Sequence, residues 1–253
     1  MLQKNKNLLL AIAVSIFLIT GAFFMVNVPL VAEYSTISAI NVVLFAVPSF
    51  RALGRWLGIK KALIFIVVLG IYALAIESMG LLTGFPYGDF FYNDLLGSRL
   101  FGVVPWTVAF AWTPLILATL AVVGRTIKSK VWRIAAMAAL LTLIDLVLDP
   151  GAVFLEFWYF SAGGVYYNVP WTNFAGWLFS GAIGAVICES LLARFKPEKP
   201  APVQLTISCF YILVFWTALA ALAGLWLPAL LGLFLLMGLG KFYYRFDGPA
   251  AVD

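Results

Sequence analysis

The stretch RIAAMAALLTLIDLVLDP, residues 133–150, reads as a membrane span that carries two aspartates. Eleven uncharged residues follow Arg133, and then Asp145 and Asp149 appear four residues apart. An ionised carboxylate inside hydrocarbon costs at least ~2.5 kcal/mol, and a like charge beside it adds to that cost. Ionisable groups placed there are by default functional. What this pair does is the question the rest of the chain has to answer.

Composition fixes the class around that span. The 253 residues are 64% hydrophobic and only 11% charged, against roughly 25% charged in ordinary globular domains. The chain is therefore read as all-α, a polytopic helix bundle forming one integral membrane domain over residues 1–253. Apolar runs near 8–26, 36–50, 62–82, 103–123, 133–149, 174–193, 204–223 and 225–240 predict eight transmembrane helices. The last two are separated by little more than Gly224, which predicts a tight hairpin. Although Lys4 and Lys6 precede the first run, that run is too long for the core of a signal peptide, so it is read as an anchor.

The net charge of +5 would suggest nucleic acid in a soluble protein. Here the basic residues sort by side instead. Lys4, Lys6, Arg51, Arg55, Lys60, Lys61, Arg125, Lys128, Lys130, Arg133, Arg194, Lys196, Lys199, Lys241 and Arg245 fall on one side of the eight spans, and Arg99 alone on the other. Fifteen against one predicts a multi-pass protein of the cell membrane with both termini cytoplasmic, and no nucleic-acid partner.

Histidine is absent, which removes His-ligated metals and a His general base. Cys188 and Cys209 lie in separate apolar spans and match no ligand spacing, so they are read as small core residues. No metal and no cofactor are expected.

Asp145 and Asp149 share one helix face. Counting from Arg133 at ~1.5 Å per residue, they lie ~18 and ~24 Å along it. Glu77, sixteen residues beyond Lys61 in the third span, is again ~24 Å deep. Three acids from two helices thus reach one level of the outer leaflet. Pro150 is expected to end the fifth helix directly after Asp149. The bland alternative is that the acids face a wet vestibule or pair with Arg99. Glu189, close to Arg194 at the opposite end, is expected to pair or snorkel there and is set aside.

Two outer loops, GFPYGDFFYNDLLGSRLFGVVPW (84–106) and FLEFWYFSAGGVYYNVPWTNFAGW (154–177), look like aromatic caps folded back over the bundle. Interfacial aromatic belts account for some of these rings. Crowded like charges in an apolar setting do not all stay ionised, so at least one carboxyl of the set is neutral. A neutral carboxylic acid beside a carboxylate is an acid–base pair. The chemistry this suits is protonation of a substrate apolar enough to live in the bilayer, with aromatic faces to steady a developing cation.

The order Glu77, then residues 84–106, then LIDLVLDP (143–150), then GVYYNVPWTNFAGW (164–177) resembles the membrane carotenoid hydratases of the bisanhydrobacterioruberin and gamma-carotene 1',2'-hydratase type. The resemblance runs from about Glu77 to Trp177. It implies a hydro-lyase that adds water across the terminal double bond of a linear or monocyclic carotenoid psi end, giving a tertiary alcohol. Carotenoid and water would then be the substrates, with other carotenoid-pathway enzymes as partners in the lipid bilayer. The expected site comprises Asp145 as acid, Asp149 as base, and Glu77 as the group that tunes them or holds the water. Tyr87, Tyr92, Trp112, Trp158, Tyr166, Tyr167 and Asn173 are expected to bind substrate. Asn173 serves either as a ligand for water or as an interfacial helix N-terminal residue.

Rival readings share parts of this pattern. A lycopene cyclase uses the same protonation step and quenches the cation internally. A proton-coupled transporter of a small or lipophilic solute also needs intramembrane acids, although no inverted repeat is visible. A membrane prenyltransferase needs two acidic motifs near basic residues, and this chain has one D-x-x-x-D at the far side from its cations. A retinal protein needs an interior lysine, and no span has one.

Overall fold

In the computed structural model, which describes residues 2–247, eight helices are long and apolar enough to cross a membrane. They are α1 (Leu2–Asn27), α2 (Ser35–Leu57), α3 (Ile59–Thr83), α4 (Val108–Thr126), α5 (Lys130–Phe154), α6 (Trp171–Phe195), α7 (Ile207–Leu222) and α8 (Trp226–Asp247). Their order and number are those expected from the hydrophobic runs. Helices dominate because a backbone in hydrocarbon must satisfy its own N–H and C=O groups. The fourth helix starts at Val108 rather than near 103, since Val104 and Pro105 belong to a small strand pair.

Burial separates a centre from a periphery. Two thirds of the apolar window of α4 is buried (67%), against 6% for α1, so α4 is the central column and α1 an outer one. The core around α4 is built from Leu53, Phe65, Leu69, Ile116, Leu117, Met137, Leu141 and Leu213. Cys188 and Cys209 are free and buried within it, as small core residues. Tight reversals join neighbours at positive φ: Gly58 (φ 79°) between α2 and α3, and Gly224 (φ 74°) between α7 and α8.

The two ends of the bundle differ in chemistry. At one end Lys61 donates to the Phe195 carbonyl (3.2 Å), Arg125 to the Ala201 carbonyl (2.7 Å) and the Trp56 indole to the Lys199 carbonyl (2.9 Å). This end gathers the basic links α2–α3, α4–α5 and α6–α7. The side chains of Lys4 and Lys6 and the C-terminal residues 248–253 lie outside the described residues. Glu189 is buried at the same end, and its partner is Arg133 of α5, at 2.6 and 2.5 Å, rather than Arg194. The correction has a simple cause. Residue 194 is one turn further along the same helix, whereas Arg133 reaches across the α5–α6 contact and meets both carboxylate oxygens.

At the other end the two aromatic loops close on each other. Strand β1 (Phe90–Tyr92) of the first pairs antiparallel with β4 (Trp158–Phe160) of the second, Tyr92 facing Trp158 and Phe90 facing Phe160. A second pair, β2 (Arg99–Leu100) with β3 (Val104–Pro105), folds the first loop on itself. Arg99 donates to Asp94 (2.8 Å) and to the Tyr92 carbonyl (2.6 Å), tying down the cap.

Pro150 does not end α5. The helix continues to Phe154. Proline leaves the carbonyl four residues earlier, Leu146, without its N–H donor. That carbonyl instead accepts from the Tyr166 hydroxyl at 3.1 Å. With the carbonyl satisfied from outside, the helix can pass through the proline, as membrane helices often do.

Candidate active site

Asp145 and Asp149 on α5 and Glu77 on α3 are each buried, at 1%, 3% and 6% exposure. These values rule out the wet vestibule. Pairing with Arg99 is ruled out as well, because that residue holds Asp94 at the surface. The Asn173 side-chain amide on α6, also buried, donates to Asp145 Oδ2 at 3.1 Å and makes a very short contact with Asp149 Oδ2. One amide therefore clamps both aspartates. Asn173 is in the first turn of α6, yet its side chain points inward to the acids and does not cap its own helix.

Glu77 completes the group from the other side. It lies within electrostatic range of Asp149, and its Oε2 accepts from the Tyr92 hydroxyl at 3.1 Å. Burial, and then the Glu77 carboxylate, push the Tyr92 hydroxyl well above its ordinary range, so it stays a donor. Trp158, opposite Tyr92 in the β1–β4 register, lies beside Asp149. The expected acids, Asn173, Tyr92 and Trp158 are thus assembled together.

Tyr87 comes down from the first loop between α3 and α6, 1% exposed. A Cβ at Gly80 would lie 2.8 Å from its ring, and one at Gly176 2.6 Å, so these glycines make the slot it fills. Trp112 of α4 stacks on Trp177 (6.3 Å) and presses its ring end against Gly184. Tyr72, packed edge-on to Trp112, donates to the Ser180 carbonyl at 2.7 Å. Gly176, Ser180 and Gly184 recur every fourth residue, and this small-residue stripe on α6 receives three aromatic side chains from three elements. Tyr72 and Trp177 were missed from sequence. The stripe G-x-x-x-S-x-x-x-G was the signal that could have pointed to them.

Tyr166 and Tyr167 of the second loop each hold a backbone group. Tyr166 caps Leu146, and burial pushes its hydroxyl up to about 12, which keeps it a donor. Tyr167 accepts from the Leu227 N–H (3.3 Å), joining the second loop to the start of α8, and packs edge-on to Tyr166.

The arrangement offers paired, desolvated carboxyls held by one neutral donor and walled by aromatic rings. Asp149 has the short Asn173 contact and the Trp158 indole beside it. Asp145 has only one donor, and its Oδ1 has no hydrogen-bond partner.

Comparison with known proteins bears on this architecture. Residues 31–239 match the family described as carotenoid biosynthesis protein. Over 196 residues the chain is 34% identical to the bisanhydrobacterioruberin hydratase of Haloarcula japonica, a stretch that covers 74% of this chain. The same stretch spans 66% of that relative's length, just under two thirds. No solved structure matches. Every residue of the acid group lies inside the family match, which takes in all the helices except α1, and only the last residues of α8 fall beyond it. The chain belongs to the carotenoid biosynthesis protein family.

Proposed function

We propose that the protein is a carotenoid hydratase that adds water to the terminal, psi-end double bond of a linear or monocyclic carotenoid. The name of the Haloarcula japonica relative supports a hydratase. The observation that carries the chemistry is the asymmetry of the aspartates: Asp149 is well supplied with donors, while Asp145 Oδ1 has no partner.

A carboxylate keeps its charge where donors converge, and a carboxyl with few donors in a dry place is better neutral. Asp145 is therefore the acid, with its proton on the free oxygen. That proton goes to the CH carbon of the terminal alkene, and the π electrons form the new C–H bond. The dimethyl carbon becomes a tertiary cation, steadied by the aromatic walls. Water attacks it, forming the C–O bond and releasing a proton to Asp149. Transfer of that proton from Asp149 to Asp145, neighbours on Asn173, resets the site. Atoms and electrons balance with water as co-substrate. Glu77, held by Tyr92, keeps the dyad from carrying two charges. We place the basic end of the bundle in the cytoplasm of a cell-membrane protein, on the fifteen-to-one distribution of Lys and Arg.

The test is the pigment profile of a host that makes lycopene or gamma-carotene and expresses this chain. A more polar pigment, heavier by one water, is expected. Ring formation without a change of mass would replace the hydratase by a cyclase. An unchanged pigment set would reject both and favour a transporter.

A further inference from the structure

Four buried side-chain polar atoms among the described residues have no hydrogen-bond partner: Asp145 Oδ1, the Tyr87 hydroxyl, Trp112 Nε1 and Thr217 Oγ1. Thr217 sits apart, packed between α7 and α8 against Gly232. Asp145 and Tyr87 lie within electrostatic range of each other, and the Trp112 ring packs on Trp177, as the Tyr87 ring does. The rings of Tyr87 and Trp112 both lie 6.3 Å from Trp177, one on each contact. The Tyr87 hydroxyl lies beside the Ser180 and Glu77 side chains, without a hydrogen bond of good geometry to either, and within electrostatic range of Asp145.

Each unpartnered buried polar atom is costly, so three together mark a place where a polar ligand belongs. The neighbouring hydroxyls are already committed, Tyr72 to the Ser180 carbonyl and Tyr92 to Glu77. An indole N–H can only donate. Burial, and then Glu77, keep the Tyr87 hydroxyl protonated, so it can donate or accept by rotating. The complementary ligand is small and has both lone pairs and protons. A buried water, which typically makes about three hydrogen bonds, meets that description.

We propose that Tyr87 and Trp112 form the seat of the attacking water, on the side of Asp145. This rests on the hydration reading above. Trp112 Nε1 donates to one lone pair of the water, and the Tyr87 oxygen accepts one of its hydrogens. The second hydrogen is left for the dyad's carboxylate and the second lone pair for the cation. The seat is rigid because Gly80, Gly176 and Gly184 leave each ring one position. Its effect is on the fate of the cation and not on its formation. Without a seated water, the cation loses a proton from an adjacent methyl group and gives an isomeric alkene.

The experiment follows Tyr87→Phe and Trp112→Phe in deuterated water with lycopene as substrate. Both replacements keep a ring in its slot. Two products are read by mass spectrometry: the alcohol, and recovered or isomerised alkene that carries deuterium. The ratio of labelled alkene to alcohol is expected to rise about tenfold in each variant, the effect of losing one hydrogen bond to the nucleophile. The ratio is independent of how much protein folds. An unchanged ratio with both products reduced in parallel overturns the proposal, as does loss of all label in both variants. A parent protein that forms no alcohol at all sinks the hydration reading first. A parent that forms alcohol, with variants of unchanged ratio, sinks only the water seat.

Discussion

The Tyr166 hydroxyl donates to the Leu146 carbonyl, the main-chain acceptor that Pro150 leaves empty within α5. A side chain from the cap loop thus replaces a missing helical hydrogen bond one residue past Asp145. Tyr166→Phe is expected to lower stability in detergent by about 1 kcal/mol, the net worth of one hydrogen bond. In a Pro150→Ala background the restored N–H takes over that carbonyl, and the same replacement should cost close to nothing. Equal losses in both backgrounds, read from unfolding curves, would mean that the hydroxyl acts elsewhere.

The dyad is tested by isosteric replacement. Asp145→Asn and Asp149→Asn keep the shape but remove the titrating proton, so each is expected to slow alcohol formation at least ~10²-fold. In deuterated water the parent's alcohol should carry one stable deuterium on the carbon adjacent to the one that bears the new hydroxyl. Asp145→Asn should abolish all label. Asp149→Asn should still leak labelled alkene, because only the capture step is impaired. Hydration at the parental rate by both variants would show that the aspartates are structural.

Asn173→Ala removes the donor shared by both aspartates. Two buried carboxyls then lose their clamp, with an expected loss of ~1–3 kcal/mol in stability. The rate per folded molecule should also fall. A variant that is less stable but fully active per folded molecule would confine Asn173 to a structural role.

At the opposite end, the Arg133–Glu189 pair makes a contrasting prediction. Arg133→Ala leaves a buried carboxylate alone and should cost ~3–5 kcal/mol in stability. Adding Glu189→Leu should recover most of it, while hydration per folded molecule stays at the parental level throughout. Melting curves of the single and double variants decide it, and no recovery would mean that the guanidinium serves something other than Glu189.

Orientation is open to labelling, since both native cysteines are buried. A cysteine placed just after Lys196 should be shielded from impermeant thiol reagents in intact cells, and one near Gly163 should react. The reverse pattern would put the acid group at the cytoplasmic face.

The span count was legible because membrane helices announce themselves by apolar length, and the acids because a carboxylate has no other business in such a run. Less legible was everything set by contacts between distant segments. Pro150 predicts a helix end when only the local backbone is considered, and the Tyr166 hydroxyl that rescues it comes from a loop. Glu189 lies five residues before Arg194 in sequence, but geometry across two helices gives it Arg133. Tyr72 carried no local mark of its place beside Trp112, because that place depends on the bare stripe of α6. Asn173 had two readings of equal standing, and only the fold of α6 against α5 selects the inward one.

The β1–β4 pairing acts as a spacing gauge between two helices that carry the acids. Tyr92 reaches Glu77 of α3, and its cross-strand partner Trp158 stands beside Asp149 of α5. Alternate residues of a strand face opposite ways, so a slip of one position would present the exposed Phe91 or Tyr159 in their stead. A single residue inserted between Gly84 and Asp89 would misalign the acids without touching any of them. The two loops therefore cannot change length independently, and variants of this architecture should lengthen or shorten them only outside the paired segments.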